Sequence, residues 1–275
     1  MAKIAGAFVV PHDPLMFTSP DALGVKRREH VDNCYATVAK RLNQLAADTV
    51  IVVGADHYIM FGPDCLPQYL MGIGDVEGPI DRLPGLTKGN IPNDQELAQF
   101  IRSEGSREGY DWAVANSLVV DHSVMVPWQL CIQPAGDLKV IPIYLASGVE
   151  PLVPKQRAYD LGAAAARAVH KFPKSRNVAL IGSGGISHWV GMAEMGKVNT
   201  AFDTWVLEQV ISGNEKALIT LSDEDIIRQG GNGALEIRSF LFAMGFTGGR
   251  SGCAIGYEPA PEWITGLGFA ELYKT

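Results

Sequence analysis

The chain has 275 residues, is 47% hydrophobic and carries 23 basic against 30 acidic side chains, for a net charge of −7. That length and apolar fraction allow a sizeable core, built as one large domain or two small ones. The acidic balance argues against nucleic acid as a partner, and no apolar run approaches the roughly 20 residues that a membrane helix needs.

From the N-terminus, Ile4–Val10 reads as a strand. Pro11, His12 and Asp13 end this stretch too early for a signal peptide, so a cytoplasmic protein is expected. His30–Ala47 follows with Val31, Cys34, Val38, Leu42 and Leu45 on one helical face. Short Val- and Ile-rich runs at Thr49–Val53, Tyr69–Ile73, Trp112–Ala115, Lys139–Leu145 and Asn177–Ile181 suit strands buried on both faces. Gly74–Asn93 reads as a long Gly/Pro-containing loop of the kind that often serves function. Helices are expected at Asp94–Glu104 behind an Asn93 cap, at the alanine-rich Lys155–Lys171, and at Thr200–Ser212, Asp223–Gln229 and Ala234–Met244. Ser222 and Asp225 resemble a capping box. Strand alternating with helix predicts a three-layer α/β/α fold around a mostly parallel or mixed sheet. No repeat or long linker divides it, so residues 1–275 are expected to form one domain.

Cys34, Cys65, Cys131 and Cys253 stand far apart with no Cys-x-x-Cys pair. A structural zinc site and a disulfide framework are therefore disfavoured, and reduced, mostly buried thiols are expected.

Chemistry concentrates in the histidines. Of six, four sit just beyond a predicted strand or in the loop after one: His12, His57, His122 and His188. Ligands of open α/β sheets bind outside the carboxyl ends of the strands, so these four point to a metal site with proton-transfer groups beside it. Two imidazoles and a carboxylate that leave open positions are the facial triad of non-haem Fe(II) oxygenases. His12, His57 and Glu236 can supply that set, although spacing alone does not link them. Asp56 and Asp121, each preceding a histidine, can orient a ring nitrogen or cap a turn. Gly182-Ser183-Gly184-Gly185 is neither an esterase elbow nor a phosphate loop, because Ile181 replaces the elbow's first glycine and no Gly-Lys-Ser/Thr follows. The absence of Gly-x-Gly-x-x-Gly at the first helix speaks against a nicotinamide cofactor.

Several motifs occur together in a fixed order. They are Val10-Pro11-His12-Asp13-Pro14, Ala55-Asp56-His57-Tyr58, Val120-Asp121-His122-Ser123, Gly182-Ser183-Gly184-Gly185-Ile186-Ser187-His188, Gly231-Asn232-Gly233-Ala234-Leu235-Glu236-Ile237 and Pro261-Glu262-Trp263-Ile264-Thr265-Gly266-Leu267-Gly268. In this order the chain resembles the class III extradiol ring-cleavage dioxygenases over essentially its full length. The resemblance implies Fe(II) held by His12, His57 and Glu236, with His188 as acid/base and His122 as a second such group near substrate and oxygen. It implies a catechol-like aromatic diol and O2 as substrates, and a homo-oligomer with a possible small partner subunit. Ala55 departs from the asparagine that lines the pocket in the protocatechuate type, so no substrate can be copied from it. Tyr58, Arg250, Trp263 and Thr265 are candidates for contacting substrate. A metal-dependent hydrolase and a non-catalytic binding protein on a similar core are the rival readings.

Overall fold

In the computed structural model, which describes residues 1–62 and 64–273, the chain runs through β1 (Lys3–Val10), α1 (Leu15–Thr18), α2 (Val25–Gln44), β2 (Thr49–Ala55), β3 (Tyr69–Gly78) and β4 (Gly89–Ile91). It continues with α3 (Gln95–Arg107), β5 (Ala113–Val119) and α4 (His122–Pro127), then a π-turn at Trp128–Ile132, α5 (Gln133–Ala135) and β6 (Lys139–Leu145). Then come α6 (Lys155–Lys171), β7 (Asn177–Ser183), α7 (Thr200–Ser212), α8 (Glu215–Thr220) and α9 (Asp223–Gly230). A 3-10 turn at Gly233–Glu236 leads into α10 (Ile237–Thr247), and the hairpin β8 (Gly252–Ala260) and β9 (Thr265–Leu272) completes the described residues.

The strands form one mixed sheet in the order β4-β3-β6-β2-β7-β1-β9-β8, with β5 pairing β3. Its centre, β6-β2-β7-β1, is parallel, while β3 joins β6, and β9 joins β1, in antiparallel fashion. Alternation along each central strand divides the core. Val9, Ile51, Val53, Ile143 and Leu180 face a layer containing α3, α6, α7 and α10. Phe8, Val10, Val50, Val52 and Ile181 face α2, α4 and the π-turn. Burial on both faces is what the unbroken apolar runs dictate, and the result is the expected three-layer α/β/α arrangement.

Local differences from the sequence reading have identifiable causes. The stretch Gly74–Asn93 is not all loop, since β3 extends through it to Gly78 and β4 returns against it, Val76 pairing with Ile91. The hairpin β8/β9 escapes period-two reading because Gly252, Gly256, Pro259, Gly266 and Gly268 interrupt it. Helix α2 begins at Val25 behind Gly24, earlier than His30. Helix α3 is capped by Asp94, whose carboxylate accepts from the Leu97 N–H, and not by Asn93. Ser222 caps α9 as expected, accepting from the Asp225 N–H at 3.0 Å. Cys34 and Cys131 are buried, but Cys65 and Cys253 are exposed.

Candidate active site

The parallel strands β1, β2 and β7 point their carboxyl ends at one edge of the sheet, and the chain leaving each carries a histidine within a few residues: His12, His57 and His188. His122 opens α4, whose cap is Asp121, accepting from the Ser123 N–H at 3.0 Å. Glu236 ends the 3-10 turn before α10. These five side chains line one cavity of about 240 Å³, with a smaller lobe of about 140 Å³ sharing His57, His188, Val190 and Glu236.

At its centre three atoms form a triangle. His57 Nε2 lies 3.3 Å from His12 Nε2 and 3.1 Å from Glu236 Oε1, and His12 Nε2 lies 3.4 Å from the same oxygen. The far sides of the rings settle the tautomers. Ser183 gives its proton to the Ser123 carbonyl at 2.7 Å, so it accepts from His12 Nδ1–H at 2.8 Å. The buried Asp121 carboxylate accepts from His57 Nδ1–H at 2.9 Å. Both Nε2 atoms therefore face Glu236, and either a proton on His57 Nε2 or a metal ion held by all three groups satisfies the cluster. Contacts of about 2.0–2.2 Å to a transition ion set neighbouring octahedral ligand atoms about 3 Å apart, so the triangle fits one. His122 extends the group: His12, His57 and His122 present nitrogens all within 4.8 Å of one another, a set able to hold a metal ion. The His122 ring stacks on His57 with centroids 4.2 Å apart, and its Nδ1–H points to Asp81 at 3.2 Å.

Charge is graded across the site. Burial favours a protonated Glu236, but His12 and His57 outweigh it and hold the carboxyl well below its usual range. Burial likewise opposes an imidazolium at His57, yet the hydrogen bonds to Asp121 and Glu236 raise its pKa well above the ordinary value. Asp121 is depressed to about 2 because its His57 partner outweighs its desolvation. His188 and His122 go the other way, lowered chiefly by burial, so both are neutral at pH 7. Burial pushes the Asp13 carboxyl up to about 6. His188 directs Nδ1–H at the Ile186 carbonyl, 3.3 Å away, which leaves Nε2, 3.9 Å from Glu236 Oε2, unprotonated as a base. That ring needs Gly233 beside it: a Cβ there would lie 2.0 Å from His188 Nε2.

A family model, that of the catalytic LigB subunit of aromatic ring-opening dioxygenase, matches residues 6–268. The chain belongs to this family. It is an extradiol, ring-opening dioxygenase of aromatic substrates. Among similar proteins is the 2,3-dihydroxyphenylpropionate/2,3-dihydroxicinnamic acid 1,2-dioxygenase of Rhodococcus jostii, 24% identical, with 94% of this chain and 95% of that one covered. The enzyme of the same name from Photorhabdus laumondii is 25% identical, covering 93% of each. A crystal structure of an uncharacterized Escherichia coli K12 protein shares the fold with a TM-score of 0.63 and 13% identity, covering 98% of this chain and 99% of the other.

The ring-opening site does not include every residue that the sequence suggested. Thr265, the first residue of β9, is buried and lines the main cavity, and Tyr58, 60% exposed, stands at the rim of the smaller lobe. Trp263 does not reach either. Its ring is fully buried in the layer under α2, donates to the Ser19 carbonyl at 2.9 Å and packs under the Arg28 guanidinium. Arg250 is exposed at the opposite end of the β8/β9 hairpin from Thr265, next to the Gly252–Leu272 pair. Both were drawn in by motif proximity, whereas strand direction decides which end of a hairpin meets the site. Sequence reading missed Ser183, Asp81 and Asp13. Ser183 lay within a motif already singled out, and Asp81 within the long loop, but only the fold shows which ring each one meets.

Proposed function

We propose that His12, His57 and Glu236 hold Fe(II), and that the enzyme opens the ring of a catechol-like aromatic diol next to its two hydroxyls, consuming O2. The convergence of two imidazoles and a carboxylate on one point supports this reading best, because the set leaves one side of an ion open while supplying a single negative charge. When bound, Fe(II) offers adjacent open positions for the diol oxygens and for O2, and couples the electrons of one to the other.

The protein groups divide the remaining work. Neutral His188, with Nε2 exposed to the cavity, takes a hydroxyl proton as the diol binds and returns it later in the cycle. His122, held by Asp81 and stacked on the His57 ring, is the second proton-transfer group. Asp121 and Ser183 keep His57 and His12 in the ligating tautomers. Thr265 and Tyr58 bound the substrate space. The whole chain acts as one catalytic domain, working in the cytoplasm as a homo-oligomer.

Anaerobic reconstitution with Fe(II), followed by oxygen uptake over a panel of vicinal diols, tests the reaction. The expected result is stoichiometric O2 consumption with a ring-opened product, and none with Zn²⁺ in place of iron. Oxygen-independent hydrolysis that persists with zinc would replace this reading by a hydrolase. In the same assay His12→Ala and His57→Ala are expected to lose iron. His188→Phe is expected to keep iron and lose about 10²–10⁴-fold in turnover, and wild-type turnover in that variant would remove His188 from its role.

A further inference from the structure

Beyond the triangle the cavity wall turns apolar, and Pro14, Leu15, Val190 and Ile264 form it. Two of these residues are held by hydrogen bonds of their backbone. The Leu15 N–H donates to Asp13 Oδ1 at 2.7 Å. Val190, which borders both lobes, donates its N–H to the Asn232 side-chain oxygen at 2.8 Å and accepts from the Asn232 amide at 3.0 Å. Its 51% exposed side chain is thereby fixed at the wall. Ile264 is placed there under strain. Its φ of 56° and ψ of 13° lie in the left-handed region, which Gly or Asn adopts readily and a β-branched residue rarely. A strained residue on a cavity wall points to a use for its side chain.

The same wall offers nothing to an anion. Among the described residues no lysine or arginine lines either lobe. The Gly185 N–H is committed to Glu236 Oε2 at 3.0 Å, and the Asn232 amide to Val190. The Thr265 hydroxyl is committed to the Trp263 carbonyl at 3.1 Å or to the Asp13 carboxyl. The carboxyl groups along the lobes are those of Asp13, Asp56 and Glu236. A carboxylate entering them loses water without gaining a partner, whereas an alkyl group is covered. The main lobe, about 240 Å³, is smaller than the roughly 300–1,000 Å³ that holds a drug-sized ligand, so it limits the guest to one ring and a short substituent.

Resting on the ring-opening reading above, we infer that Val190 and Ile264 are specificity-determining residues, and that the preferred substrate is a single-ring diol bearing a short alkyl group and no carboxylate.

The test compares catechol, 3- and 4-ethylcatechol, and 2,3- and 3,4-dihydroxybenzoate. Each is titrated calorimetrically under anaerobic conditions against the Fe(II) enzyme, and then assayed for kcat/KM. The ratio of two substrates on one preparation is independent of iron occupancy. Wild type is expected to favour the better ethylcatechol over catechol by at least about tenfold, the lower end of what a methylene is worth in an apolar pocket, and to bind the dihydroxybenzoates worst. Ile264→Asn suits the left-handed backbone, so its urea midpoint should match or exceed that of wild type while the ethylcatechol-to-catechol ratio falls toward one. A lowered midpoint with an unchanged ratio would make Ile264 a packing residue and overturn its assignment. Val190→Lys places an ammonium at the wall from an exposed position, so it should improve a dihydroxybenzoate relative to ethylcatechol by about tenfold or more. Equal ratios in wild type and both variants, or a wild-type preference for a dihydroxybenzoate, would overturn the inference. Failure of the ring-opening reading itself shows differently, as the absence of oxygen uptake with every diol, and the anaerobic binding ratios would still decide the specificity.

Discussion

Ser183 shows how one hydroxyl controls the chemistry of a ring on another strand. By giving its proton to the Ser123 carbonyl it can only accept from His12 Nδ1–H, and this leaves the lone pair of the opposite nitrogen turned toward Glu236. Partners of ligating histidines typically contribute about 10–100-fold to metal affinity. Ser183→Ala is therefore expected to weaken Fe(II) binding by that factor in a chelator competition, with the fold intact by circular dichroism. Unchanged affinity would show that the tautomer is held by other means. Tyr58 and Ile264, both lining the cavity, carry positive φ of 60° and 56°. Such backbone is strained for side-chain-bearing residues and persists where the surrounding structure over-determines it, often at functional sites.

Among elements, the packing of α6 on α10 places Glu236 at the cavity. The two helices touch backbone to backbone: a Cβ on Gly162 would lie 2.0 Å from the Phe242 carbonyl oxygen, and one on Gly245 would lie 2.0 Å from that of Tyr159. A methyl group at either point must push the helices apart. Gly245→Ala is expected to destabilise the protein by about 1–3 kcal/mol, the cost of overpacking a close-packed interior. Urea unfolding measures it, and a midpoint equal to wild type would mean that the interface yields freely. The alanine-rich pattern of α6 announced a strong helix. The glycine within it reads as a defect until its partner helix is in place.

For the whole molecule, the loop bearing His188 is tied to the third layer by one buried carboxylate. Asp203 of α7 accepts from the Ser187 N–H and hydroxyl, each at 2.9 Å, and from the Tyr257 hydroxyl at 2.7 Å. Burial raises its pKa from 3.8 to about 6. The folded state therefore holds a proton there over a range in which the unfolded chain has already lost it. The stability this contributes is complete below about pH 4 and is lost as pH rises through about 6, up to roughly 3 kcal/mol by linkage. Relative to Asp203→Asn, the wild-type melting temperature should fall between pH 4 and pH 6.5. A constant difference across that interval would mean that Asp203 does not titrate there.

What was legible from the amino-acid order is the class of fold and the short list of reactive groups. Val- and Ile-rich runs can only be strands covered on both sides, and polar residues directly after them must emerge at the carboxyl edge of such a sheet. His12, His57 and His188 were legible for that reason. The hairpin β8/β9 was not, because its glycines and proline erase the alternation that marks a strand. Nor does any spacing relate residues 12, 57 and 236. Only the parallel pairing of β1, β7 and β2, and the seating of α10 behind them, brings their ligand atoms within 3.4 Å of one another. The same long-range geometry leaves Trp263 in the core, because contacts between distant segments are set by how layers stack and not by neighbours along the chain.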